Sequence, residues 1–134
     1  MIPLYPARLE SEAWQRELAE AICEPDELLR LLHIDPSTLD HPVARDNPFA
    51  MRVPRYFAGL MRPRDPRDPL LLQVLPLARE GDEVTGFTAD PVGDLAAARA
   101  HGMLKKYRGR ALLITTGACA VHCRYCFRRH FPYA

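Results

Sequence analysis

At 134 residues with 48% hydrophobic side chains, the chain has the size and composition of one soluble domain with a real core. No apolar run reaches the roughly 18 to 20 residues that span a bilayer, which excludes a transmembrane helix. The net charge of +1 conceals a division, since residues 1–100 hold all 17 acidic side chains against 11 arginines while residues 101–134 hold seven lysines and arginines and no acid. An anionic partner, whether nucleic acid, cofactor or carboxylate substrate, would therefore be met at the C-terminal end.

The first ten residues, "MIPLYPARLE", combine neither a basic n-region nor an apolar h-region, so no signal peptide and a cytoplasmic location are expected. Thiols stay reduced there, which favours metal-bound or free cysteines over a disulfide framework. Ser11 is a suitable N-cap for "SEAWQRELAEAIC", where Trp14, Leu18, Ala21 and Ile22 recur at helical spacing and predict an amphipathic helix with one buried face. Cys23, alone among helix residues, reads as a small buried side chain. A second helix begins at Pro25, with Asp26 and Glu27 at the positive end of its dipole, an apolar stripe of Leu28, Leu31 and Leu32, and a stop at Asp35-Pro36.

"VPRYFAGLM" predicts a shorter helix. In "RPRDPRDPLLLQVLP" the doubled "RDP" reads as two surface turns, and Asp68-Pro69 resembles an N-cap followed by a first-turn proline. "LLLQVL" is too short to distinguish helix from buried strand, and "GFTADPVGD" reads as an ordered loop. The period then changes, because "RALLITTG" is a continuous apolar, β-branched run of the kind that forms a strand buried on both faces. Such strands belong to α/β architecture, whose ligand sites lie just beyond the strands' C-terminal ends.

Three cysteines stand at that place, Cys119, Cys123 and Cys126. A mononuclear zinc site usually takes four ligands in two separated pairs, and here His122 would have to supply the fourth in a zinc-stabilised binding module. Three thiolates on one tight loop can instead hold three corners of a cubane iron-sulfur cluster and leave its fourth iron open for chemistry. "KKYRGR" and "CRYCFRRHF" also mix cations with aromatics, the weak compositional cue of an RNA-binding piece, although no direct nucleic-acid contact is expected.

"CAVHCRYC" resembles the CxxxCxφC signature of radical S-adenosylmethionine enzymes, with Tyr125 as the aromatic φ. "DPRDPLLLQVLP", "DPVGD" and "LKKYRGRALLITTGACAVHCRYCFRRHFPY" are similar in order and spacing to the lysine 2,3-aminomutase family, and the likeness covers residues 14 to 133. Within that family the ending "CRYCFRRHFPY" is most similar to the branch that makes β-lysine for elongation factor P. The resemblance implies that Cys119, Cys123 and Cys126 ligate a 4Fe-4S cluster whose open iron chelates S-adenosylmethionine, with Tyr125 near its adenine. It implies that Lys106, Tyr107 and Arg110 contact pyridoxal 5'-phosphate and that Arg128 grips the α-carboxylate of free lysine, for which a guanidinium fork is well matched. Lys106 stands where better-known members carry arginine, so that contact would be a point charge, and Arg129 receives no role.

The expected fold is thus α/β, a mainly helical region over 1–109 followed over 110–134 by the first strand and cluster loop of a partial (β/α) barrel. The family's pyridoxal-binding lysine, the acids that receive the substrate's ε-ammonium and most barrel strands lie beyond the cluster loop. The chain therefore resembles the N-terminal third of such an enzyme, expected to be inactive alone and poorly anchored over residues 111 to 134. The implied partners are an electron donor such as flavodoxin or ferredoxin, elongation factor P and its lysyl-transferring ligase, and no membrane.

Overall fold

A computed structural model describes residues 13–47, 49–126 and 129. Helix α1 spans Ala13–Ala19 and buries none of its side chains; Trp14 is 54% exposed. The expected buried helix face is not formed. Beyond Ala19 the chain leaves the helix, and Ile22 makes an antiparallel bridge to Val53 with reciprocal N–H···O bonds of 2.8 and 3.0 Å. Ile22 is fully buried, but from bridge-forming backbone rather than from a helix. Side chains alternate along extended chain, so an inward Ile22 turns Cys23 outward, and this cysteine is exposed where a buried one was expected.

Helix α2 covers Pro25–Leu31 and starts at the expected proline with Asp26 and Glu27 in its first turn. Its buried face is Leu28, Leu29 and Leu32, while Leu31 is 45% exposed. Both triplets fit one helical face, and only contact with the neighbouring segments selects between them. His33, at φ 54°, takes the chain out of the helix, and Asp35 Oδ1 accepts from Ser37 N at 2.9 Å to open a 3₁₀ turn over Pro36–Thr38. A one-turn helix α3 follows at Arg55–Ala58, inside the stretch read as helical.

"LLLQVL" is helical. Helix α4, Pro69–Val74, is capped by Asp68, whose Oδ1 accepts from Leu70 N at 2.9 Å and Leu71 N at 3.1 Å. Asp68 Oδ2 also accepts from Arg62 N and Arg62 Nε, at 3.1 and 3.2 Å. The two "RDP" steps therefore differ: Asp65 stays in a turn, whereas Asp68 is buried. One core joins these segments, built from Ile22, Leu28, Leu29, Val53, Leu71, Val74 and Leu75 with smaller contributions around them. A second 3₁₀ turn, Ala78–Gly81, leaves this core, and Glu80 Oε1 accepts from Leu77 N at its start.

The C-terminal part contains helix α5, Asp94–Ala97, and strands β1 (Ala98–Ala100), β2 (Met103–Leu104) and β3 (Leu112–Leu113). Asp90 of the expected ordered loop closes onto α5, accepting from Asp94 N and Leu95 N at 2.8 and 2.9 Å. The strands form an antiparallel sheet in the order β1-β2-β3, so the described residues mix helices with a small sheet. The expected strand buried on both faces is corrected: β3 is two residues long, pairs antiparallel to β2, and leaves Leu112 and Leu113 59% and 70% exposed. No helix among the described residues is long and apolar enough to cross a membrane.

Candidate functional site

The loop carrying the cysteines returns to the helical core and fastens to it. Val121 packs against the core, and His122 N donates to Arg52 O at 3.0 Å. The His122 ring has Nδ1 2.7 Å from Ala50 O and stacks on Phe49 with centroids 4.9 Å apart. Arg124 N donates to Gln73 O at 2.8 Å, and the Arg124 side chain pairs with Glu80 at 2.7 Å. Arg129 reaches the other oxygen of Glu80 at 2.9 Å, Asn47 Oδ1 at 3.0 Å, and lies over the Phe49 ring. The expectation of a poorly anchored segment from 111 onward therefore fails for residues 121–126 and 129, because side-chain pairs and backbone bonds to the helical region replace the missing sheet neighbours.

All four cysteines are free thiols; Cys119 is exposed, and Cys123 and Cys126 are half-buried. Cys126 N donates to Cys123 O at 3.0 Å, a tight turn that sets these two residues on one bend. Burial pushes the Cys123 thiol above its ordinary range, and the neighbouring Cys119 and Cys126 add to the rise through their charges. Among the described residues no set of three donors is gathered at metal-binding geometry. A soft donor set of three thiols on one loop fits iron or an iron-sulfur cluster, provided the ligands lose their protons on binding. Tyr125, between the last two cysteines, is 69% exposed. Arg128 lies outside the described residues.

The other predicted contacts meet elsewhere. Lys106, Tyr107 and Arg110 line a cleft of about 410 Å³ together with Asp94, Leu104, Ala111 and Leu112. Arg110 sits over the Tyr107 ring at 5.5 Å, and both side chains face solvent. Lys106 Nζ is 2.6 Å from Asp94 Oδ1 and also donates to Val92 O. Its charge is therefore largely matched within the protein, leaving Arg110 and Tyr107 as the open donors for an anion. That pair suits a phosphate, with Lys106 as a shared cation.

Sequence reasoning missed Glu80, Asn47, Asp94 and the roles of Arg124, Arg129 and His122. Nothing local marks Glu80, which stands in the polar run "AREGDE", and its partners lie 44 and 49 residues away.

The class is thus an α/β protein of short helices and a small antiparallel sheet, with three thiols on a loop tethered to the helical core and a separate cleft on the hairpin lined by Asp94, Lys106, Tyr107 and Arg110. No family model matches the chain. It is similar to the L-lysine 2,3-aminomutase of Escherichia coli (strain K12), with 48% identity over 124 residues that make up 92% of this chain and 36% of that protein. The L-lysine 2,3-aminomutase of Haemophilus influenzae is 38% identical over 133 residues, 99% of this chain and 39% of the relative. That of Buchnera aphidicola subsp. Baizongia pistaciae is 42% identical over 124 residues. The chain belongs to the L-lysine 2,3-aminomutase family, and it spans a little over a third of the length of these relatives.

Proposed function

We propose that this chain carries the cluster-binding loop and part of the cofactor cleft of an isomerase that converts L-α-lysine to β-lysine. The observation that carries the reading is the Haemophilus influenzae similarity, which runs over 99% of the chain and so takes in the three-cysteine loop. When bound, a 4Fe-4S cluster with S-adenosylmethionine supplies a hydrogen-abstracting radical, and pyridoxal 5'-phosphate supplies a carrier for the migrating nitrogen. In this reading Cys119, Cys123 and Cys126 hold the cluster and Tyr125 flanks the adenine. Arg110, Tyr107 and the Asp94-paired Lys106 hold the pyridoxal phosphate, and Arg128 orients the substrate carboxylate. A flavodoxin or ferredoxin would deliver the electron, and the β-lysine would serve the modification of elongation factor P.

The test is anaerobic reconstitution with iron and sulfide. About four irons per chain are expected, with loss of most of them on Cys119→Ala, Cys123→Ala or Cys126→Ala and none on Cys23→Ala. Preferential retention of a single zinc would overturn the reading. β-Lysine formation belongs to protein of the relatives' full length; this chain alone is expected to release at most uncoupled 5'-deoxyadenosine.

A further inference from the structure

We infer that Glu80 is a positioning residue for the three-cysteine loop, its carboxylate bridging Arg124 and Arg129 so that the turn bearing Cys123 and Cys126 is closed onto the helical core. Three independent features support this. The carboxylate is fixed before it meets the loop, because Oε1 accepts from Leu77 N at 2.8 Å within its own 3₁₀ turn. It is covered, at 12% side-chain exposure, where an ion pair is screened far less than at the surface. Its two oxygens are divided between arginines on opposite sides of the loop's last cysteine, Arg124 at 2.7 Å and Arg129 at 2.9 Å.

The two arginines are also joined to each other and to further carbonyls. Arg129 Nη1 donates to Arg124 O at 3.0 Å, closing the chain around Cys126, and Arg124 Nη1 donates to Leu72 O at 3.3 Å. With the backbone bonds of His122 to Arg52 and of Arg124 to Gln73, residues 122 and 124 are both tied to the core, and Cys123 stands between two fixed points. A ligand loop held before metal arrives loses less conformational freedom on binding. Glu80 touches no thiol; it acts through the two arginines.

The consequence for metal rests on the cluster reading above, whereas the consequence for thiol accessibility does not, and this separates the two. Alkylation of the metal-free chain at fixed pH, followed residue by residue by mass spectrometry, is the first arm. In Glu80→Ala and in Arg129→Ala, Cys123 and Cys126 are expected to react about tenfold faster, with Cys23 unchanged as the internal control. Glu80→Gln, which keeps an acceptor for Leu77 N but no charge, is expected to fall between, and Glu80→Asp to restore part of the protection. In the second arm, iron release from the reconstituted chain to a chelator is expected to accelerate about tenfold in the same variants. Unchanged Cys123 and Cys126 reactivity in Arg129→Ala and Glu80→Gln, with the helical circular dichroism retained, would overturn the inference even if the cluster binds normally. Faster alkylation in a chain that takes up no cluster would leave Glu80 as the positioning residue and remove the proposed function instead. If Glu80→Ala alone also loses the helical circular dichroism, its fold is lost and Arg129→Ala decides.

Discussion

Two leucine-rich strings in this chain have opposite fates. In "LLLQVL" Leu71, Val74 and Leu75 are 0%, 2% and 1% exposed; in "RALLITTG" Leu112 and Leu113 are 59% and 70% exposed. Composition does not separate them, since both are short, leucine-rich apolar runs. The first is launched by a capped N-terminus and lies against α2 residues, Val53 and Ile22 in one core, whereas the second has a single two-residue hydrogen-bonded neighbour. Burial is thus a property of what packs on a segment, and the hydrophobic contribution goes to the string that finds partners.

The largest way to test the contrast is truncation of a core leucine. Leu71→Ala is expected to destabilise the chain by about 2 to 5 kcal/mol, read as a lowered midpoint of urea unfolding, because a fully buried site loses both transfer energy and packing. A loss below about 1 kcal/mol would mean that the helical core does not carry the stability.

Next in size is the cap that aims the buried string. Burial pushes the Asp68 carboxyl up, but hydrogen bonds from Arg62 N, Leu71 N, the Arg62 side chain and Leu70 N outweigh it and hold the group below its ordinary value. A carboxyl depressed in the folded chain contributes stability that is present above its unfolded value of about 3.9 and is lost as pH falls through the folded one. Asp68→Asn keeps a cap acceptor and loses the charge, so the stability difference from wild type should begin to shrink as pH drops below about 4 and vanish only once pH lies below the folded value. Asp68→Ala should cost about 1 to 2 kcal/mol at neutral pH. An acid limb equally steep in Asp68→Asn would reassign the effect to other carboxyls.

A smaller effect is expected in the hairpin. Gly102 has φ 69°, and a Cβ there would stand 3.0 Å from Ile114 O, the residue whose N–H donates to Gly102 O at 2.7 Å. Gly102→Ala should cost about 1 kcal/mol and show chiefly as faster amide exchange at Ile114 and Lys105, with Leu71 amide protection intact. The smallest change is Leu113→Ala, expected within about 0.5 kcal/mol of wild type because an exposed leucine has little burial to lose. A cost like that of Leu71→Ala would show that this face is covered in solution.

The features legible from residues alone were those whose physics is local. Pro25 with its acidic first turn, Asp68 before Pro69, and three thiols within eight residues each state a chemistry through neighbours in the chain. Family resemblance carried the same local information further, since the cysteine loop and the Lys106, Tyr107 and Arg110 cluster are contiguous motifs. Choices among equivalent local options were not legible: Leu29 over Leu31 inside α2, Ile22 in a bridge instead of a helix, and an outward Cys23. Periodicity permits each alternative, and the energy that selects one comes from segments distant in sequence. The same holds for the loop's attachment, where Glu80 meets Arg124 and Arg129 across 44 and 49 residues and Arg129 reaches back 82 residues to Asn47. Ion pairs and stacking have no sequence period, so only the tertiary structure decided which charges hold the cysteine loop, while the sequence by itself determined that a thiol loop was there to be held.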